Sequence, residues 1–267
     1  MPVENDDFWV NFDSKIADEY SKKDWAKGTT PIQDFDPTVD KTRMILNLLF
    51  VIDTSGSMRG QRMGMVNYAM ENIIKELRMR DESNAVIKIG ILRFSETAEW
   101  VTPQPIALDD YEFTQLVAEP WLTNYGPAFD ALGEKLSRKA FMDPNLGEYF
   151  APVILFVTDG EPTDINEYPI ALQRLRHNGW FRQSAKYAIA VGDDARSKEV
   201  INIFSDFVDD INNLRYADEG EALCSLIQYV AINASKIQTS MLSSSGTNMG
   251  SSLFSEKDNN LFSSMLK

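Results

Sequence analysis

Along Leu48-Leu49-Phe50-Val51-Ile52-Asp53-Thr54-Ser55-Gly56-Ser57-Met58 an apolar run stops at one carboxylate, and hydroxyls follow at alternate positions. Residues that alternate along an extended chain point to one side. Asp53, Ser55 and Ser57 can therefore converge if the chain turns just beyond the strand, a turn that Gly56 is expected to ease. An all-oxygen set with no His or Cys suits a hard cation such as Mg2+. A second apolar run, Val153-Ile154-Leu155-Phe156-Val157-Thr158-Asp159-Gly160, also ends in a carboxylate. Between the two lies Leu122-Thr123-Asn124-Tyr125-Gly126, a turn carrying one more hydroxyl. Taken singly, each residue has a plainer use: the acids can end turns and the serines can cap a helix. Together they place two strand-terminal carboxylates and a loop Thr in one chain.

The elements that must position these groups follow from hydrophobic periodicity. Ile45 to Asp53 is continuously apolar for most of its length, which predicts a central strand buried on both faces. Met63, Val66, Met70, Ile73 and Leu77 recur every three or four residues and predict an amphipathic helix. Ala85 to Ser95 is the next strand, and the short link Glu96-Thr97 into Ala98 to Thr102 predicts a hairpin with one antiparallel edge strand. Pro103 and Pro105 suit the end of such an edge. Further on, the pattern predicts helices over 127–136, 166–176, 198–207 and 221–237. Strands are predicted over 153–159, 186–191 and 214–217. Strand and helix alternate, so the expected class is α/β: a doubly wound, mostly parallel six-stranded sheet with one antiparallel edge strand and helices on both faces. Ligands of such sheets bind beyond the carboxyl ends of the strands, at the switch in strand order. Asp53 and Asp159 both stand at such ends.

With 267 residues, the chain has room for one α/β domain with appendages. We expect an irregular N-terminal arm at 1–42, carrying scattered aromatics among charges, then the domain at 43–238. A Ser-rich flexible tail is expected at 239–267. The net charge of −14 disfavours nucleic acid and anionic membranes as partners and favours a cation or a basic protein surface. One cysteine, Cys224, rules out an internal disulfide and a cysteine-built zinc site. The acidic start, Met1-Pro2-Val3-Glu4-Asn5-Asp6-Asp7, lacks the apolar stretch of a signal peptide, and a cytoplasmic location is the expectation.

The ordered set Asp53, Ser55, Ser57, Thr123 and Asp159 resembles the metal-ion-dependent adhesion site of the von Willebrand factor A-type (VWA) domain: D-x-S-x-S, then a Thr, then a strand-terminal Asp. The resemblance covers about residues 43 to 237. It implies a bound Mg2+ or Mn2+, with Ser55, Ser57 and Thr123 offering hydroxyls and Asp53 and Asp159 binding directly or through water. It also implies a partner Asp or Glu that completes the cation's shell. The segments Val51–Met58, Val157–Pro162 and Ala190–Ala195 are similar to compact bacterial proteins of the tellurium-resistance type, in which the module works beside a kinase and a phosphatase. The alternative is a VWA subunit assisting a MoxR- or chelatase-type AAA+ ATPase. Trp121 and Tyr125 flank the Thr and are expected to add bulk at the rim.

Catalytic readings fare worse. A haloacid-dehalogenase-type phosphoryl acceptor needs an Asp where Ser55 stands. The strand ending at Asp159 has the shape of a Walker B segment, but no G-x-x-x-x-G-K-[ST] occurs in the chain. The single histidine, His177, falls at a predicted helix end, where it suits the helix dipole better than a serine triad. No enzyme activity is expected. Asp193, Asp194, Glu161 and Asp164 read as solvated loop acids, and Cys224 as a buried structural thiol.

Overall fold

In the computed structural model the described residues are 43–79, 85–192 and 194–217, together with 223–225, 227, 228, 231 and 232 of the last helical stretch. The expected arm at 1–42 and tail at 239–267 lie outside them, as do Asp193 and the side chain of Asp194.

The sheet is built on β1 (Met44–Asp53). It pairs in parallel with β2 (Ala85–Phe94) along its whole length, from Met44 opposite Ala85 to Asp53 opposite Phe94. On its other side it pairs in parallel with β5 (Val153–Thr158). β6 (Ala185–Val191) and β7 (Leu214–Ala217) extend that side, both parallel. The edge beyond β2 is antiparallel, as the hairpin link predicts: β3 (Ala98–Trp100) folds back on β2. After Pro105 the chain returns to the same strand as a two-residue β4 (Ile106–Ala107), a seventh strand that the sequence reading does not anticipate. The main order is β3-β2-β1-β5-β6-β7, so the direction of winding switches between β1 and β5.

Side chains alternate across β1, and the two faces have separate cores. Leu46, Leu48, Phe50 and Ile52 join Met63, Val66, Met70, Ile73 and Leu77 of α1 (Gln61–Arg78) on one face. Leu223, Cys224, Ile227 and Ala231 pack on the same side, so Cys224 is the buried thiol expected of it. Leu49 and Val51 face α2 (Tyr125–Lys135), α3 (Tyr168–His177) and α5 (Lys198–Phe207) across a layer rich in phenylalanine. Phe156 is fully buried at its centre, against Phe94, Phe129, Phe204 and Phe207.

α3 ends at His177, the predicted helix end, and Asn178 both closes it and starts the next helix. The Asn178 side chain accepts the Trp180 and Phe181 N–H groups and opens a short α4 (Gly179–Gln183). An Asn before a Gly serves as an N-cap as readily as a helix end. No helix of the described residues is long and apolar enough to cross a membrane.

Candidate metal centre

β1 and β5 run parallel side by side, so their last residues open at the same edge of the sheet, at the switch point. Asp53 ends β1 and is fully buried; Asp159 follows β5 and is 1% exposed. Burying a carboxylate is costly unless its oxygens are satisfied, and both Asp53 oxygens are. Oδ1 accepts the backbone N–H of Ser55 at 2.8 Å, and Oδ2 accepts the hydroxyl of Thr158 at 2.6 Å. Periodicity alone assigns Thr158 no part in the site. Its signal lies in strand register: Ile52 is opposite Val157, so the next step sets Asp53 beside Thr158. Burial pushes the Asp53 carboxyl up to about 6, against the lowering effect of the Thr158 and Ser55 hydrogen bonds, and nearby Asp159 raises it further.

Past Asp53 the chain enters a single 3-10 turn, Gly56–Met58. Ser55 precedes it but its hydroxyl does not cap it; Ser55 Oγ lies 3.1 Å from Ser57 Oγ instead. Ser57 in turn donates to Asp159 Oδ1 at 2.7 Å. Asp53, Ser55, Ser57 and Asp159 are thus joined in one hydrogen-bonded chain, through the Ser55 N–H at its first step and hydroxyls at the others, buried at Asp53 and open to solvent at Ser57. Gly56 is not needed for the reason the sequence suggests. Its φ is not positive, and a Cβ there would meet Glu119 O and Trp121 O at the ordinary contact distances of 3.6 and 3.7 Å. The glycines with left-handed φ near the site are Gly60, which precedes α1, and Gly192 after β6.

Thr123 is buried at the same end of the sheet, on a segment stitched to both acid-bearing loops. Gly56 N–H donates to Trp121 O, and Glu119 N–H to Thr54 O, tying it to the β1 side. Thr163 N–H donates to Thr123 O at 2.7 Å and the Thr163 hydroxyl to Asn124 Oδ1 at 2.7 Å, tying it to the β5 side. The Thr123 hydroxyl is not part of the hydrogen-bonded chain that joins the other four residues. Asp164 completes the clamp: its carboxylate accepts the N–H groups of Tyr125 at 2.9 Å and Gly126 at 2.7 Å. These are the first two residues of α2, so a loop acid expected to be solvated works as the cap of a distant helix.

Tyr125 also departs from expectation. It is fully buried, not at the rim, and its ring packs on Phe94, Phe129, Phe156 and Phe204. Its hydroxyl donates to Gly160 O at 2.7 Å, which fixes the backbone directly after Asp159. Burial raises the phenol well above its ordinary range, so it stays a neutral donor. The rim is instead formed by Trp121 and Leu122, each more than half exposed. His177 sits exposed at the end of α3 with Nδ1 2.7 Å from the Gln173 carbonyl oxygen, the helix-end role expected of it.

The oxygens present fit a hard divalent cation: two carboxylates and hydroxyls, brought within hydrogen-bonding distance of one another at a solvent-facing edge. Among the described residues, no cluster of three or more His, Cys, Asp or Glu side chains is built to hold a metal. The hydroxyls are therefore essential to any such site.

The sequence profile of the von Willebrand factor type A domain matches residues 47–207, which span β1 through α5. The chain belongs to the von Willebrand factor type A domain family. Over 162 residues the VWA chain is 32% identical to inter-alpha-trypsin inhibitor heavy chain H6 of Homo sapiens, a match covering 56% of this chain and 12% of that protein. The chain therefore spans about an eighth of that curated relative. Among solved structures it is similar to a von Willebrand factor type A protein from Catenulispora acidiphila, with 16% identity and a TM-score of 0.51, covering 72% of this chain and 43% of that one. It is also similar to proximal thread matrix protein 1 from the mussel byssus, solved with a zinc-occupied MIDAS motif. There the identity is 15% and the TM-score 0.50, covering 75% of this chain and 47% of that one. At these identities the structural likeness establishes the α/β VWA fold.

Proposed function

We propose that this VWA domain is a non-enzymatic interaction module that holds one divalent cation, Mg2+ or Mn2+, at Asp53, Ser55, Ser57, Thr123 and Asp159, and binds a partner's Asp or Glu through it. The observation that carries the reading is the hydrogen-bonded chain from buried Asp53 through Ser55 and Ser57 to Asp159, at the switch point between β1 and β5. An Asp53 carboxyl raised by burial gains from a cation that neutralises it. All-oxygen ligation favours Mg2+ or Mn2+ over softer ions, although the mussel relative was solved with zinc at its own motif. Hydroxyls are weaker donors than carboxylates, so a cation held largely by them stays electron-poor, which supports recruitment of an outside carboxylate.

A non-catalytic role is consistent with the surroundings of the site. His177 is bonded at the end of α3, and the hydroxyl of Tyr125 is neutral and committed to Gly160. We place the module in a cytoplasmic bacterial stress system of the tellurium-resistance type, beside a kinase and phosphatase. This rests on the resemblance of Val51–Met58, Val157–Pro162 and Ala190–Ala195. The partner is a protein with a basic contact patch around one acid, since the chain's own charge is −14. Calorimetry with Mg2+ on the wild type and Asp53→Ala tests the metal site, and equal binding by both would sink the assignment. Affinity capture with and without EDTA tests the partner: chelation is expected to release it. Recovery of an AAA+ ATPase would move the module to the chelatase-type alternative.

A further inference from the structure

Arg62 stands in the first turn of α1, an 18-residue helix. A cation there opposes the helix dipole, whose positive end is the N-terminus. No acidic residue in that turn offsets it, and Gly60 before the helix gives no side-chain cap. The compensation comes from across the site. Arg62 Nη1 is ion-paired with Asp159 Oδ2, the Asp159 side chain being fully buried and that of Arg62 18% exposed. The same Nη1 reaches the Ser57 carbonyl oxygen at 3.5 Å. On another side the guanidinium lies against Gly192, where a Cβ would stand 3.1 Å from Nη2; this glycine also has φ +75°. A fixed cation is thus fitted between the Asp159 loop, the Ser57 turn and the end of β6.

Both Asp159 oxygens are spoken for in this arrangement. Oδ1 accepts from Ser57, and Oδ2 is held by Arg62. The Ser57 hydroxyl can turn a lone pair to a metal without leaving, because it is both donor and acceptor. A guanidinium has only donors and a permanent positive charge. It cannot share Asp159 with a divalent cation at close range without strong repulsion.

We propose that Arg62 is an intramolecular competitor of the divalent cation: metal and guanidinium exclude each other at Asp159, and Arg62 thereby sets the metal affinity of the site. The inference rests on the metal-binding reading above. Loading the site requires Arg62 to leave Asp159 Oδ2, and its flexible stem, at the solvent-facing start of α1, allows it to do so. The expected result is a site that stays unloaded at low cation levels despite its complement of oxygens.

The test is a Mn2+ titration of the full chain, following free Mn2+ by electron paramagnetic resonance, on the wild type, Arg62→Ala and Arg62→Lys. Arg62→Ala is expected to bind Mn2+ about tenfold more tightly than wild type, or about 1.4 kcal/mol. Arg62→Lys, which keeps the charge but not the planar fork, should fall between them. A second readout needs no variant. The Arg62 side-chain Nε–H resonance should shift as the wild type is saturated with Mg2+. Circular dichroism checks that the variants fold, and if Arg62→Ala does not, the Arg62→Lys titration and the resonance shift decide. Unchanged or weaker Mn2+ binding by Arg62→Ala, with binding retained by wild type, would overturn the competition while leaving the metal site standing. No Mn2+ binding by any of the three chains would overturn the metal reading itself.

Discussion

Asp53 is a carboxylate that pays for its position in stability, and the cost has a measurable pH signature. Its carboxyl is raised from 3.8 to about 6 in the folded protein, chiefly by burial. A shift of about two units corresponds to roughly 3 kcal/mol between the protonation states. The folded state binds this proton more tightly than the unfolded chain, so the contribution to stability is fully present below about pH 4. It is lost progressively as pH rises to about 6, and above that the folded protein carries the whole penalty. Urea denaturation of the wild type in EDTA, from pH 4 to 8, measures the profile. Other carboxylates titrate in the same window, so the comparison is with Asp53→Asn, which is neutral throughout. Asparagine cannot accept from Ser55 N–H and Thr158 as a carboxylate does, so the slope, not the absolute level, carries the test. Between pH 4 and 6.5, wild-type stability should fall relative to the variant by about 2–3 kcal/mol. Mg2+ should restore stability at pH 7.5, by about 2.7 kcal/mol at a hundredfold excess over its dissociation constant. That restoration should fade below pH 6, where protons compete for the same oxygen. Parallel profiles for the two proteins would refute the account, since they would mean that Asp53 is not the group held protonated by burial.

Asp164→Ala removes the carboxylate that caps the first two residues of α2 from the neighbouring loop. It should cost about 1–2 kcal/mol in thermal or chemical denaturation and should weaken Mg2+ binding in calorimetry, because the Thr123 segment loses one of its ties. Phe156→Ala empties the centre of the phenylalanine layer and should cost about 3–5 kcal/mol by urea denaturation. Trp121→Ala touches an exposed rim residue; stability should stay within about 0.5 kcal/mol, while partner capture in the pulldown should fall.

Where one physical signal dominates, the sequence is easily read. β1 and β5 are long apolar runs with no competing period, and α1 carries an uninterrupted helical repeat, so their ends and the acids at those ends were legible. So was the hairpin, because a two-residue link between strands permits little else. What stayed hidden depends on contacts between distant segments. Thr158 beside Asp53 needs the β1–β5 register, which periodicity does not supply. Tyr125 reads as a rim residue because a loop precedes it, yet its ring enters a layer built from β2, β5 and α5. Asp164 reads as a solvated acid because the helix it caps begins 39 residues earlier. Asn178-Gly179 fits both a helix stop and a helix start, and the structure uses it as both.

Three departures from local rules are gathered at one place. A carboxylate is fully buried at the end of β1, an arginine stands at the dipole's unfavourable end of its helix, and two serines share a hydrogen bond where a cap was available. Each departure costs stability by itself. Local rules that fail together at a switch point between parallel strands are what the proposed binding site would account for. The two failures are also opposite in sign: an excess of negative charge is held in place by an ill-placed positive one. On the proposed competition, that pairing should yield to a cation that supplies two charges where Arg62 supplies one, and the Mn2+ titration of Arg62→Ala is the measurement that decides it.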